Sequence, residues 1–216
     1  MNRFRTLLLL TLFLPLCACS LVPRGGSGGI AIHSPLIRSH PLQSPALPEG
    51  PLEWQLAIHR PSAERMVDSA RIAVRPQPHE LQSYRGVAWS MPAPALVETA
   101  VLQQLEDSAL LRGVARTSAG LQADYRLVMD IRRFEADYGG RSSPTVVMEI
   151  SAKLLHNTSR QIVASRLFTR HVDVDGTAVE RVVPAFATAL ETISTDIALW
   201  SLQSGQAHWT TTAGRS

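Results

Sequence analysis

DYRLVMDIRRFEADY, residues 124–138, is the stretch on which the fold turns. Tyr125, Leu127, Met129 and Ile131 alternate with Arg126, Asp130 and Arg132. Side chains of a strand point to opposite faces with a period of two, so this run buries one face and wets the other. A turn-like YGGRSSP (138–144) follows, and TVVMEISAKLLHN (145–157) resumes the alternation with Val146, Met148, Ile150, Ala152 and Leu154. NTSRQ (157–161) turns the chain again into IVASRLFTRHVDV (162–174), which VDGT (174–177) closes. Three long strands joined by short turns predict an antiparallel meander.

The flanks supply the rest. In AVERVVPAFATALETISTDIALWSLQ (178–203), Val179, Val183, Phe186, Leu190, Ile193, Ile197 and Trp200 recur three or four apart, the spacing of an amphipathic helix. Pro184 lies in its first turn or kinks it. Upstream, EWQLAIHR (53–60) and SARIAVRP (69–76) read as two strands, the second ended by Pro76. PAPALVETAVLQQLEDSALL (92–111) opens with prolines and spaces Leu96, Val97, Ala100, Val101 and Leu105 as a helix does. GVARTS (113–118) is a further strand. The order β-β-α-β-β-β-β-α predicts an α+β single domain over residues 54–203, a mostly antiparallel β-sheet with two helices packed on one face. Residues 204–216 read as a disordered tail.

Chemistry-bearing motifs are missing. None of the seven histidines (33, 40, 59, 79, 156, 171, 208) stands three or four residues from another, so no zinc helix of the HExxH kind exists. His156 and His171 fall near strand ends and read as solvent-facing. There is no G-x-S-x-G elbow, phosphate-binding loop or G-x-G-x-x-G. DVDG (173–176) lacks the later ligands of a calcium loop and reads as a turn. Glu106 and Asp107 are adjacent on a helix and point to different faces. The reading is of a protein without catalytic residues, metal or cofactor. Lys153 is the only lysine, and the net charge of +3 is carried by scattered arginines, which gives no basic stripe for nucleic acid.

At the N-terminus, MNRFR precedes an apolar run from Leu7 to Leu16, too short to span a bilayer and built like a secretory signal. Leu16, Cys17, Ala18 and Cys19 resemble the bacterial lipobox. That resemblance implies removal of residues 1–18 and attachment of diacylglycerol and an N-acyl chain (palmitate) at Cys19, a multi-chain membrane anchor. An ordinary signal peptide cut nearby, leaving Cys19 as a thiol, is the alternative. Ser20 rather than Asp after the cysteine implies, by resemblance to Gram-negative lipoproteins, the periplasmic face of the outer membrane. Residues 19–53, with GGSGG followed by Pro35, Pro41, Pro45, Pro48 and Pro51, read as a tether with a coil reach of about 30 Å.

Tyr84, Trp89, Met91, Pro92 and Pro94 cluster before the first helix. As an ordered loop of aromatics and prolines they are candidate partner-binding residues. The competing reading makes Trp89 a staple between helix and sheet edge.

RIAVRP, YRGVAWSMPAPALVETAVLQQLEDS, ADYRLVMDIRRFEADYGG, PTVVMEISAKLL, QIVASRLF and VERVVPAFATALETISTDIALW together resemble the ABC-type transport auxiliary lipoproteins, the PqiC-like family, over roughly residues 54–200. The resemblance implies an outer-membrane lipoprotein that works with an MCE-domain protein and its ABC permease and ATPase in moving phospholipid between membranes. It also implies ring-like homo-oligomers, and places ATP hydrolysis on another subunit. The alternative is a scaffold lipoprotein for β-barrel assembly or peptidoglycan attachment.

Overall fold

The computed structural model describes residues 29–213. Both cysteines, the signal segment and the lipobox lie outside the described residues. Nine strands run in chain order as β1 (Ala31–His33), β2 (Leu52–Ile58), β3 (Ser62–Ala63), β4 (Arg71–Gln77), β5 (Glu80–Trp89), β6 (Leu111–Arg116), β7 (Tyr125–Asp137), β8 (Thr145–His156) and β9 (Gln161–Asp173). Helix α1 (Ala93–Ser108) joins β5 to β6, and α2 (Val179–Ala213) closes the fold. The α+β single domain expected from the sequence is present, with a mixed sheet.

β7 is the spine. One edge pairs antiparallel with β8 along its whole length, and β8 pairs antiparallel with β9, so the expected meander carries the long strands. The other edge of β7 is shared by three shorter strands, all parallel to it: β2 beside Tyr125–Leu127, β3 beside Asp130–Ile131 and β4 beside Ala136–Asp137. Two branches grow from this broken partner. β6 adds to β2 at one end, and β5 then β1 add to β4 at the other.

Alternation in β7 does not run through. Ile131 faces Ile150 and Arg133 faces Glu149, which leaves Arg132 as an extra residue. The bulge moves the buried set from Tyr125, Leu127, Met129 and Ile131 to Phe134 and Ala136. Without that shift Phe134 would leave the core. The β7–β8 turn needs left-handed backbone at Gly139 (φ 52°) and Gly140 (φ 77°), a conformation that residues without Cβ adopt at little cost.

α1 begins on Pro92, with Pro94 in its first turn where a missing N–H loses no helical bond, and ends on Ala109 in the left-handed region. Leu96, Val97, Ala100, Val101 and Leu105 are buried, as their spacing requires. α2 buries Phe186, Leu190, Ile193, Ile197 and Trp200 against the same core. Pro184 sits in its second turn rather than its first.

Three departures from the sequence reading matter. β5 is a strand where the sequence reads as a loop; only Trp89 among its ten residues is fully buried, so it carries no clean apolar alternation. Residues 204–213 are helical, not a disordered tail. They include Gly205, a poor helix former, and packing against Trp54 of β2 overrides that propensity. Within 19–53, the part from Ala31 onward lies against the domain instead of hanging clear. Pro35 and Leu42 are buried. The fully buried Gln104 of α1 accepts from the His40 N–H (3.0 Å) and donates to the Arg38 carbonyl (2.9 Å). Gln203 on α2 donates to Ser44 at 2.7 Å, and His40 pairs with Glu191.

Candidate docking surface

The structure brings four of the five candidates close together at the β5–α1 junction, Trp89, Met91, Pro92 and Pro94, with Tyr84 upstream in β5. Trp89 is only 1% exposed and makes edge-to-face contacts with Phe186 (5.1 Å) and Phe134 (6.3 Å). It joins β5 to both β7 and α2, which is the staple reading. Pro94 is buried at the start of α1. Neither offers surface to a partner in this conformation. Met91 and Pro92 remain partly exposed, and the Tyr84 hydroxyl is buried without a hydrogen-bond partner among the described residues. Burial pushes that phenol well above its usual range.

Two polar clusters were not visible in the sequence. On the sheet face away from the helices, Glu135 is 1% exposed and held by Arg75 through two hydrogen bonds (2.7 and 3.0 Å) and by Arg133 (2.8 Å). Arg133 also reaches Asp137 at 2.5 Å. Burial alone would raise the Asp137 carboxyl, but Arg133 and the Gly139 N–H hold it below the usual carboxylate range. These residues come from β4 and β7, brought side by side only by parallel pairing.

At the opposite end of β7, Tyr125 shares a hydrogen bond of 2.8 Å with Nδ1 of His208, and the His156 ring lies 5.0 Å from that of His208. Burial pushes the Tyr125 phenol up to about 12 and, with His156 beside it, pulls His208 below its usual value. His156 is therefore half-buried against a helix, not solvent-facing as its strand-end position suggested; His171 is exposed. The sequence does not show this cluster, because the apolar helical spacing ends before His208. Among the described residues, no group of three or more His, Cys, Asp or Glu side chains is placed to hold a metal ion.

Exposed apolar surface is concentrated elsewhere. Ile30, Ile32 and Leu36 are 64%, 63% and 86% exposed, and Ile162 and Leu167 on β9 are 54% and 46% exposed. The i, i+2 spacing of Ile30 and Ile32 is the sequence signal for it, within a stretch that reads as tether.

The fold is one mixed sheet covered by two helices, and several of its charged side chains meet in internal ion pairs. The chain belongs to the ABC-type transport auxiliary lipoprotein component family, whose pattern it matches across residues 38–198. A crystal structure of a Xanthomonas campestris protein of family DUF330 is 40% identical, with a TM-score of 0.77 over 83% of this chain and 99% of that one. A second solved structure, of an uncharacterized protein, shares the fold at 14% identity and a TM-score of 0.60, over 79% of this chain and 97% of that one. An uncharacterized Bradyrhizobium diazoefficiens protein is 28% identical over 151 residues, which is 70% of this chain and 40% of that longer one. The family match starts at residue 38, inside the segment that Gln104 clamps to α1, and so supports counting that segment as part of the domain.

Proposed function

We propose that this protein is a non-catalytic outer-membrane lipoprotein of an MCE/ABC-type lipid transport system, anchored through Cys19 on the periplasmic face. It would act as the docking or receiving end of a conduit for lipid between membranes and so support envelope integrity. The observation that carries the reading is the family match over residues 38–198, and the lipobox-like Leu16–Cys19 supports it. The architecture is compatible with it: the described residues are organised around packing and ion pairs, and catalysis in such a system falls to a separate ATPase. Multi-chain acylation gives stable membrane residence, which one chain does not.

Crosslinking in native membranes followed by affinity capture tests this, comparing wild type with Cys19→Ala. An MCE-domain protein recovered with the wild type and lost or depleted with the variant is expected. Recovery of an outer-membrane β-barrel or peptidoglycan alone overturns the transport reading in favour of a scaffold.

A further inference from the structure

β1 is the outermost strand of the branch β1–β5–β4, and its far edge pairs with no strand among the described residues. Its register runs Ile32 opposite Ala88 and Ala88 opposite Arg71. Residues directly paired across strands share a face, so Ile32 and Arg71 stand on the same side of the sheet, about 10 Å apart at two strand spacings. That side is the one opposite Trp89, which points into the core. Ile30, just before β1, and Leu36, three residues after it, are the other exposed large apolar residues of this segment. Arg65 and Arg71 are both exposed and line an open groove with Met66, Asp68 and Ser69, while Asp68 is neutralised by Arg60 at 2.6 Å. The flank therefore offers bulky aliphatic side chains next to guanidinium groups that have no ion-pair partner among the described residues.

Three exposed aliphatic residues within seven positions are costly in water. What covers them is indicated by the chain itself. Only ten residues separate Cys19 from Ile30. Even fully extended, that connection reaches no more than about 40 Å, so acyl chains inserted at Cys19 would hold this flank near the membrane surface. Aliphatic side chains beside arginines suit a phospholipid boundary, with the former reaching the acyl region and the latter the phosphates.

We propose that the flank bearing Ile30, Ile32, Leu36 and Arg71 is a seat on the phospholipid surface into which the Cys19 acyl chains insert. The seat fixes how the domain stands on the membrane. It leaves α1, α2 and the β7–β9 meander for protein partners. This inference rests on the lipoprotein reading above.

The test uses the mature acylated protein, purified and reconstituted into phosphatidylethanolamine–phosphatidylglycerol vesicles. An environment-sensitive probe is attached to Ser34→Cys, an exposed position between the isoleucines and Leu36. Blue-shifted emission and a several-fold loss of iodide quenching are expected. A probe on Thr169→Cys of β9 should stay fully quenchable. Replacing Ile30, Ile32 and Leu36 together by Ser should restore quenching at Ser34→Cys while the chain stays vesicle-bound. Arg71→Gln should weaken protection only when phosphatidylglycerol is present. Mass spectrometry reports the acyl groups separately. An unmodified Cys19 overturns anchor and seat together, whereas an acylated chain with a water-exposed Ser34→Cys probe overturns the seat alone. Protection that persists in detergent and grows with protein concentration assigns the flank to a second copy, and also overturns the proposal.

Discussion

Gly205→Ala reports whether the end of α2 is packed as the structure has it. A Cβ on Gly205 would stand 2.6 Å from Cη2 and Cζ2 of Trp54 and 3.3 Å from Cε2. Trp54 has no room to retreat. It is fully buried, its indole N–H donates to Gln206 at 3.0 Å, and its ring lies edge-on to Tyr125 at 5.0 Å. Overpacking of this kind costs about 1–3 kcal/mol. Exchanging glycine for alanine in a helix returns about 0.5–1 kcal/mol. Because the obstacle is a clamped ring rather than a flexible tip, the upper part of the range applies, and the net loss is about 1–2 kcal/mol. Urea unfolding should show a lower midpoint at unchanged slope, and thermal unfolding a fall of about 3–6 °C for a domain of this size. A frayed or detached tail predicts the opposite sign, since only the propensity gain would remain. Unchanged or raised stability refutes the packing argument. Trp54→Phe combined with Gly205→Ala should recover part of the loss, a coupling on the order of 1 kcal/mol.

The other expectations concern the polar clusters and the staple. His208 is held below its usual value in the fold, so the unfolded chain takes up its proton first as pH falls; stability should drop below pH 6.5, and His208→Gln should flatten that part of the pH profile measured by urea unfolding. Asp137 titrates below its unfolded value of 3.8, so its contribution is complete above that pH and is lost as pH falls through the folded value; Asp137→Asn should be less stable than wild type at pH 7 and converge with it in acid. Glu135→Gln takes the carboxylate from Arg75, which is 23% exposed, while Arg133 keeps Asp137, so the loss should fall short of a fully buried pair, about 1–3 kcal/mol by calorimetry at neutral pH. Trp89→Phe should be tolerated, since the indole N–H has no hydrogen-bond partner among the described residues, whereas Trp89→Ala should lose about 3–5 kcal/mol in chemical denaturation. A folded Trp89→Phe that loses crosslinked species recovered with the wild type would return Trp89 to the docking surface.

Local periodicity settled much of this protein before any coordinates. The meander of β7, β8 and β9, the strands β2, β4 and β6, and both helices follow from alternation, helical spacing, prolines and glycines, because each is a short-range pattern that one segment carries by itself. The long antiparallel ladders were legible for the same reason, since short turns leave neighbouring strands little else to pair with. Tertiary structure decided what depends on distant partners. Parallel pairing of β2, β3 and β4 along one edge of β7 cannot be read from any of those segments, because the connections between them are long. It is this pairing that sets Arg75 on Glu135. The Arg132 bulge shifts the buried face in a run that looks uniformly alternating. Trp89 and its neighbours look like a loop until β5 is seen to end among Phe134 and Phe186. Residues 31–51 and 204–213 carry weak local signals, rich in proline at one end and in threonine at the other. Gln104 orders the first and Trp54 the second, each from far along the chain, and a contact of that kind leaves no mark on the sequence of the segment it holds.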